Sequence, residues 1–459
     1  MSKNSINRRA FLSSAAVMGA AGTLGAGAIL TSCNGGVKEP ALVPLRPEAE
    51  WNLAADPLPD KAVDGRELKV GLVGCGGQGT GDLVNLLRAA DGIKVAALGD
   101  MFQDRLDRCR DTVKERGEQD VPENMCFLGS DAYKKVIDAS DIVMLVTPPA
   151  WRPLYFKYAV DAGKHVFMEK PLAVDPVGAR SILTSARQAD AQGLCVITGT
   201  QRHHQRIYTE GYKQVQSGLI GEIVSGNVYW NQAKLWHREK DPKWTNMEWM
   251  IRDWVNWNWL SGDHIVEQHV HNIDVFNWFS HLKPVKCVGF GARQRRPTGD
   301  QYDMFSVDYV YEGDIHVHSM CRQIDGCAGL NGERIQGTKG VIWANQGLIT
   351  DLQGNELWKF DREKEKEDFT QTNATVLELA NWVNRIRNNQ PINQAEETTI
   401  STVTAIMGRI SAYTGAEVTW EEVMAMDMNI VPDDTELRNV DLKQYPVPVP
   451  GRAREERRG

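Results

Sequence analysis

The stretch Lys69-Val-Gly-Leu-Val-Gly74-Cys75-Gly76-Gly77-Gln78-Gly79 carries an apolar run straight into spaced glycines, and a helix-like pattern follows from Asp82. This is the G-x-G-x-x-G turn that joins strand to helix in a dinucleotide-binding βαβ unit. Gly74 permits the tight turn, Gly76 lets a pyrophosphate reach the backbone, and Gly79 lets helix and strand pack closely. The new helix offers free N–H groups and a positive dipole end to the phosphates. A glycine triplet alone is weak, because Gly-rich turns are common. Context strengthens it: a second apolar run, Ile93 to Leu98, ends at Asp100, 21 residues after Gly79. An acid there accepts hydrogen bonds from the adenosine ribose and repels a 2′-phosphate, which favours NAD over the alternative, NADP. The competing reading is a structural Gly turn and a surface Asp.

Outward from this motif, residues 67–199 alternate strand and helix patterns. Strands are expected at Leu68–Val73, Lys94–Leu98, Ile142–Thr147, His165–Met168 and Leu194–Thr198, with helices between them that include Trp151–Ala162 and Pro176–Ala191. Near-continuous apolar strands with helical crossovers predict a parallel sheet buried on both faces. After Thr200 the rhythm changes. A helix at Tyr208–Ser217 precedes a strand at Ile223–Trp230, a Trp-rich stretch from Trp244 to Trp259, and a helix from His264 to Phe279. Strands follow at Val285–Ala292, Met304–Tyr311, Ile315–Cys321, Glu333–Gly337 and Val341–Ala344, and helices Ala374–Arg387 and Glu397–Thr414 close the domain. Consecutive strands with little helix between them predict an antiparallel or mixed sheet. The fold class is therefore α/β. It divides into residues 67–199 (dinucleotide domain) and 200–420 (substrate and oligomerisation domain), with 421–459 as a charged solvated or docking tail.

The N-terminus reads Arg8-Arg9-Ala10-Phe11-Leu12 and then an Ala/Gly-rich apolar run from Ala15 to Leu30. Twin arginines before such a run are a Tat export signal. Leu30-Thr31-Ser32-Cys33 resembles a lipobox, so residues 1–33 are expected to be a signal cleaved to leave a lipidated Cys33. An uncleaved anchor helix and a soluble periplasmic product are the alternatives. Residues 34–66 read as a tether. Localisation on the periplasmic side of an envelope follows, and an enzyme there needs a firmly held cofactor because no free pool exists to exchange with.

The net charge of −8 becomes −11 without positions 1–33, which hold Lys3, Arg8 and Arg9 and no acids. An acidic protein of this kind is a poor nucleic-acid partner. Beyond Cys33, seven cysteines with scattered spacing make no disulfide framework, although Cys321 and Cys327 could pair. His316 and His318 share a strand face, but nothing nearby completes a metal site, so no metal is expected.

Chemistry is expected at the carboxyl ends of the parallel strands, where a doubly wound sheet places its ligand. Thr147-Pro148-Pro149 ends one strand, and Gly163-Lys-His-Val-Phe-Met-Glu169-Lys170-Pro171 ends the next. Lys170 stands by position at the nicotinamide end, where it can polarise or help deprotonate a hydroxyl if its environment lowers its pKa. An ion pair of Glu169 with Lys170 is the structural alternative. The cofactor candidates are thus Gly74, Gly76, Gln78, Gly79, Asp100, Thr147, Pro148, Glu169 and Lys170.

The ordered set of Gly-rich turn, acid after the second strand, Thr-Pro-Pro, and Gly-Lys-His-Val-x-x-Glu-Lys-Pro-Leu-Ala resembles the Gfo/Idh/MocA oxidoreductases over residues 67–415. The resemblance implies a Rossmann domain followed by an α/β domain with a large, mostly antiparallel open sheet, whose free face commonly makes a dimer or tetramer. The family's second signature, an Asp, a His four residues on and an Asp three further, is matched by Glu267, His271 and Asp274. On one helix Glu267 and His271 would share a face. The resemblance implies that they line the substrate pocket with His271 as acid/base, since imidazole titrates near working pH. The catalytic candidates are therefore Lys170, His271 and Glu267. Glu267 departs from the usual Asp, His269 stands where Gly is common, and Arg152 replaces a frequent His. Arg202 matches a common cleft Arg. His203, Trp230 and His269 complete the substrate candidates, with hinge or core packing as the alternative for both histidines. Trp230 and the indoles between Trp244 and Trp259 could stack on sugar faces, though most are expected to be packing.

Three functions compete. The first is NAD(P)-dependent oxidation of a sugar or glycoside hydroxyl. The second is redox-neutral glycoside cleavage by transient oxidation, elimination, hydration and re-reduction, as some members of the family perform. It needs an extra base, for which His269 or Glu267 would serve. The third is a non-catalytic sugar-binding protein, against which Lys170 with Glu267 and His271 argues.

Overall fold

A computed structural model describes residues 44–46 and 58–451. The export signal, Cys33, most of the tether and the final eight residues lie outside this range.

The first sheet has six parallel strands: β1 Leu68–Val73, β2 Ile93–Asp100, β3 Cys126–Leu128, β4 Ile142–Leu145, β5 His165–Met168 and β6 Val196–Thr198. Their order is β3-β2-β1-β4-β5-β6. The order reverses between β1 and β4, the switch point at which such sheets take dinucleotides. Leu68, Val70 and Leu72 are fully buried, and so are Val143, Leu145, Val166 and Met168, as expected for strands covered on both faces. β3 has only three residues, too few for a periodic signal, and escaped the sequence reading. β4 stops at Leu145 rather than Thr147 because the chain turns into Pro148, whose fixed φ and missing N–H end the ladder.

The second sheet has nine strands in the order β14-β13-β12-β11-β7-β10-β9-β8-β15. They are β7 Ile223–Gln232, β8 Pro284–Ala292, β9 Met304–Tyr311, β10 Ile315–Gln323, β11 Leu330–Gly337, β12 Gly340–Trp343, β13 Leu348–Asp351, β14 Glu356–Lys359 and β15 Val418–Thr419. All neighbours are antiparallel except β7 and β10. Val228, Phe305, Val307, Tyr309, Val317 and Ile335 form its inner face. Helix Ala395–Thr414 lies between this face and helix Pro176–Ala191 of the first domain. Eighteen of its residues are buried, because it is covered by one domain on each side.

The second half of the chain also completes the first domain. Helix Ala374–Arg387 packs on helix Gly77–Ala89, and Val376, Leu379, Trp382 and Val383 join the core under β1 and β5. The tail does not trail into solvent over residues 426–451. Ile430 N–H donates to Asp175, Pro448 O accepts from the Tyr302 hydroxyl, and Tyr445 meets Trp257 edge-on. The seven described cysteines are free. Cys321 faces the core and Cys327 the solvent, so the pairing considered for them is not made. Among the described residues no helix is long and apolar enough to cross a membrane.

Candidate active site

A cavity of about 990 Å³ runs from the glycine turn across the domain junction to helices His264–Glu267 and Val270–Ser280. At one end the glycines divide their work as their positions predict. Gly74 has φ +101°, a left-handed value, and a Cβ there would lie 2.6 Å from Val146 O. A Cβ on Gly79 would collide with Gly74 O, so only glycine lets the helix start this close to the turn. A Cβ on Gly76 or Gly77 would meet nothing within 4 Å. That open space borders the first turn of helix Gly77–Ala89, whose N-cap Gly76 makes no side-chain cap bond. A helix start with uncapped N–H groups and room in front suits a pyrophosphate.

Asp100 ends β2 with its carboxylate turned back on the turn. Oδ2 accepts from Cys75 N–H at 2.8 Å and Oδ1 from Phe102 N–H at 2.9 Å. Burial raises its pKa, opposed by Arg105 and by these two bonds. Each oxygen keeps a lone pair for a ribose hydroxyl, so Asp100 both braces the glycine turn and lines the cavity. Gln78 donates to Asp82 at 2.9 Å and also lines the cavity.

At the other end, Thr147, Pro148, Glu169 and Lys170 all line the cavity, as expected. Lys170 Nζ donates to the backbone carbonyl of Glu267 at 2.7 Å and to its Oε1 at 3.2 Å, bridging the two domains. Glu169 accepts from Lys170 N–H at 3.0 Å, while the Lys170 ammonium forms its ion pair with Glu267 rather than with Glu169 as considered. The Lys170–Pro171 peptide is cis. Gln268 donates to the second oxygen of Glu267. Arg152 is fully buried. It braces Pro171 O and Thr147 O, which ties the ends of β4 and β5 together. Desolvation lowers its pKa to about 10, so it remains a cation at neutral pH.

The single helix expected from His264 to Phe279 breaks at Gln268–His269 into two, so Glu267 and His271 do not share one helical face. They nevertheless line the same cavity. His271 stacks on Trp230 with ring centres 5.7 Å apart. Among the described residues its ring nitrogens make no hydrogen bond. Desolvation first, then the Lys170, Arg202 and His203 charges, hold its pKa well below the usual imidazole range. A neutral imidazole facing a cavity is a proton acceptor.

Three other candidates lie off the cavity. Arg202 is committed to Glu333 and to Asn331 Oδ1 at 3.1 Å, behind Trp230. His203 bonds Asp274 at 2.6 Å and stacks on Trp278, so it acts as a hinge contact. His269 is fully buried, with Nε2 2.7 Å from Ser319 Oγ and its pKa pushed down to about 3 by desolvation. It sits at the break between the two helices, off the cavity, with Ser319 and Asn272 as its partners, a placement that does not suit the extra base.

Of the indoles between Trp244 and Trp259, Trp254 lines the cavity, and so do Gln201, Gln268, Trp236, Arg238 and Glu378, which the sequence did not single out. Glu378 carried a usable signal: it and Asn381 are polar residues in the otherwise apolar run Val376 to Val383. Burial, then Glu169 and Asp82, raise the Glu378 pKa well above the carboxyl range.

Residues 68–199 match the family model GFO_IDH_MocA, described as an oxidoreductase family with an NAD-binding Rossmann fold. A Solibacter usitatus protein named as a glycosyl hydrolase family 109 protein is 25% identical over 278 residues, 56% of this chain and 59% of its own length. An inositol 2-dehydrogenase of Burkholderia cenocepacia is 32% identical over 165 residues, 34% of this chain and 43% of its own. The chain thus spans about half the length of these curated relatives. The crystal structure of scyllo-inositol dehydrogenase from Lactobacillus casei with NAD(H) and scyllo-inositol superposes with a TM-score of 0.59 at 20% identity. That match covers 77% of this chain and 99% of that one.

Proposed function

Because the chain belongs to the Gfo/Idh/MocA oxidoreductases through the NAD-binding domain at residues 68–199, we propose that it oxidises a hydroxyl of a sugar or glycoside with a firmly held NAD. The observation that carries this reading is the meeting, in one cavity, of a dinucleotide cradle with the Lys170–Glu267 pair and a neutral His271. Bound NAD would supply a hydride acceptor at the end of the cavity lined by Glu169 and Lys170. The residues of the chain handle the proton. The Lys170 ammonium, held by Glu267, lowers the cost of negative charge on the reacting oxygen. A ring nitrogen of His271 takes the hydroxyl proton. Trp230 gives the imidazole a flat wall, with the Arg202 guanidinium also over the indole. Arg152 holds the strand ends that fix Lys170 and Thr147.

A second reading, redox-neutral glycoside cleavage, is favoured by the relatives named as glycosyl hydrolase family 109 proteins. It needs a base besides His271, and the Glu267 carboxylate is the remaining candidate. Protein purified without added nucleotide, then denatured, tests the common premise by the NAD it releases. A glycoside panel then separates the two: cofactor reduction with intact glycosidic bonds supports the oxidoreductase, and released aglycone without net reduction supports the glycosidase. Absence of either response overturns both.

Tat export with a lipid on Cys33 is part of the proposal, carried by Arg8-Arg9 and Leu30-Thr31-Ser32-Cys33. Retention of a Cys33→Ser variant in the membrane fraction would count against it. We propose also that the outer face of the second sheet pairs with another copy, since Val288 and Phe290 of β8 stand exposed there, Phe290 at 72%.

A further inference from the structure

We propose that residues 233–257, the connection from β7 toward the catalytic helices, form a strap that encloses the adenosine half of the dinucleotide and sets the rate at which it leaves. The inference rests on the NAD reading above and adds the residues that retain the cofactor. Trp236, Arg238 and Trp254 belong to the second domain, yet they line the same cavity as the glycine turn, Asp100 and Phe102. The two indoles meet edge-on at 6.3 Å, and the Arg238 guanidinium lies 5.5 Å from the Trp236 ring centre.

A latch pins the strap to the first domain just beyond Asp100. Arg252 donates to both oxygens of Asp104, at 3.0 and 3.3 Å, and its guanidinium lies 3.8 Å from the centre of the Phe102 ring. Glu248, one turn earlier, orients it through Nε at 2.9 Å. Asp104 and Phe102 immediately follow the strand end that carries the ribose acid, so the latch sits at the adenosine end. The strap is backed from outside by the tail: Met247 N–H donates to Arg438 O at 3.1 Å and Asn246 to Val440 O at 2.7 Å. With one wall on each domain, an intact dinucleotide leaves by local yielding of the strap edge that carries Trp236, Arg238 and Trp254, which the Arg252 contacts oppose. Met247, Met250, Ile251 and Trp257 anchor the strap in the core shared with Phe102 and Trp151, and the exposed ion pair and cation–π contact add a latch at its edge whose strength responds to salt.

The test uses the full-length protein loaded with labelled NAD and chased with unlabelled NAD. Asp104→Asn should speed release about threefold and Arg252→Ala roughly tenfold, the size expected for losing one exposed pair and then the cation–π contact as well. Added salt should speed release from the parent more than from Asp104→Asn, which has lost the Arg252–Asp104 pair. Asp104 is exposed, so that variant keeps the measurement valid if Arg252→Ala folds poorly. Release at the parental rate from a folded Asp104→Asn, with unchanged salt response, overturns the strap. A parent that binds no NAD instead overturns the NAD reading beneath it.

Discussion

At the residue scale, two buried histidines of one segment have different work because their neighbours differ. His271 borders the cavity with no hydrogen-bond partner among the described residues, while His269, two residues earlier, is held by Ser319 and Asn272. His271→Ala and Lys170→Ala should each lower kcat/KM by about 10²- to 10⁴-fold, the usual worth of a positioned acid or base. Since desolvation holds the His271 pKa below 6.5, the acidic limb of the kcat/KM profile should lie below that of free imidazole. A limb near 7 would remove His271 as the titrating base.

His269 makes a separate stability prediction. Its folded pKa of about 3 is below the unfolded value, so the unfolded chain binds the extra proton. Its contribution is therefore whole above about pH 6.5 and is lost as pH falls toward the folded pKa. Thermal melts should show His269→Gln least stable relative to the parent above pH 6.5, with the gap closing in acid. A gap independent of pH would refute this.

At the element scale, the glycine turn separates folding from binding. Gly79→Ala forces a Cβ into Gly74 O and should destabilise the protein outright. Gly76→Ala meets only open space, so its melting temperature should stay at the parental value while NAD binding weakens by about tenfold or more, which is about 1.4 kcal/mol or more. Calorimetric melts and NAD titration read the two effects independently; equal NAD affinity in Gly76→Ala would mean that no phosphate approaches there. The broken helix teaches the converse. Periodicity from His264 to Phe279 is continuous in sequence, but Asp263 at φ +71°, and the Gln268–His269 corner, redirect the chain so that Glu267 meets Lys170 while His271 meets Trp230.

At the scale of the whole molecule, the exposed β8 face and the returning tail are the features with consequences. Phe290→Asp should shift the sedimentation of an oligomer toward the monomer without altering NAD content; an unchanged sedimentation coefficient would place the interface elsewhere. The sequence by itself determined the Rossmann half, the position of the glycine turn, the placement of Asp100 and Lys170 at strand ends, and the change to an antiparallel or mixed sheet after residue 200. Those depend on local periodicity and on residues a few positions apart, where steric and hydrogen-bonding rules act directly. Only the tertiary structure decided that Lys170 pairs with Glu267 rather than Glu169, that Arg202, His203 and His269 lie off the cavity, and that Glu378 and the strap of residues 233–257 join it. These choices rest on contacts between residues 50 to 148 positions apart, some within the second domain and some across the junction of the two. Burial there, rather than residue type, assigns each charge its partner and each imidazole its proton.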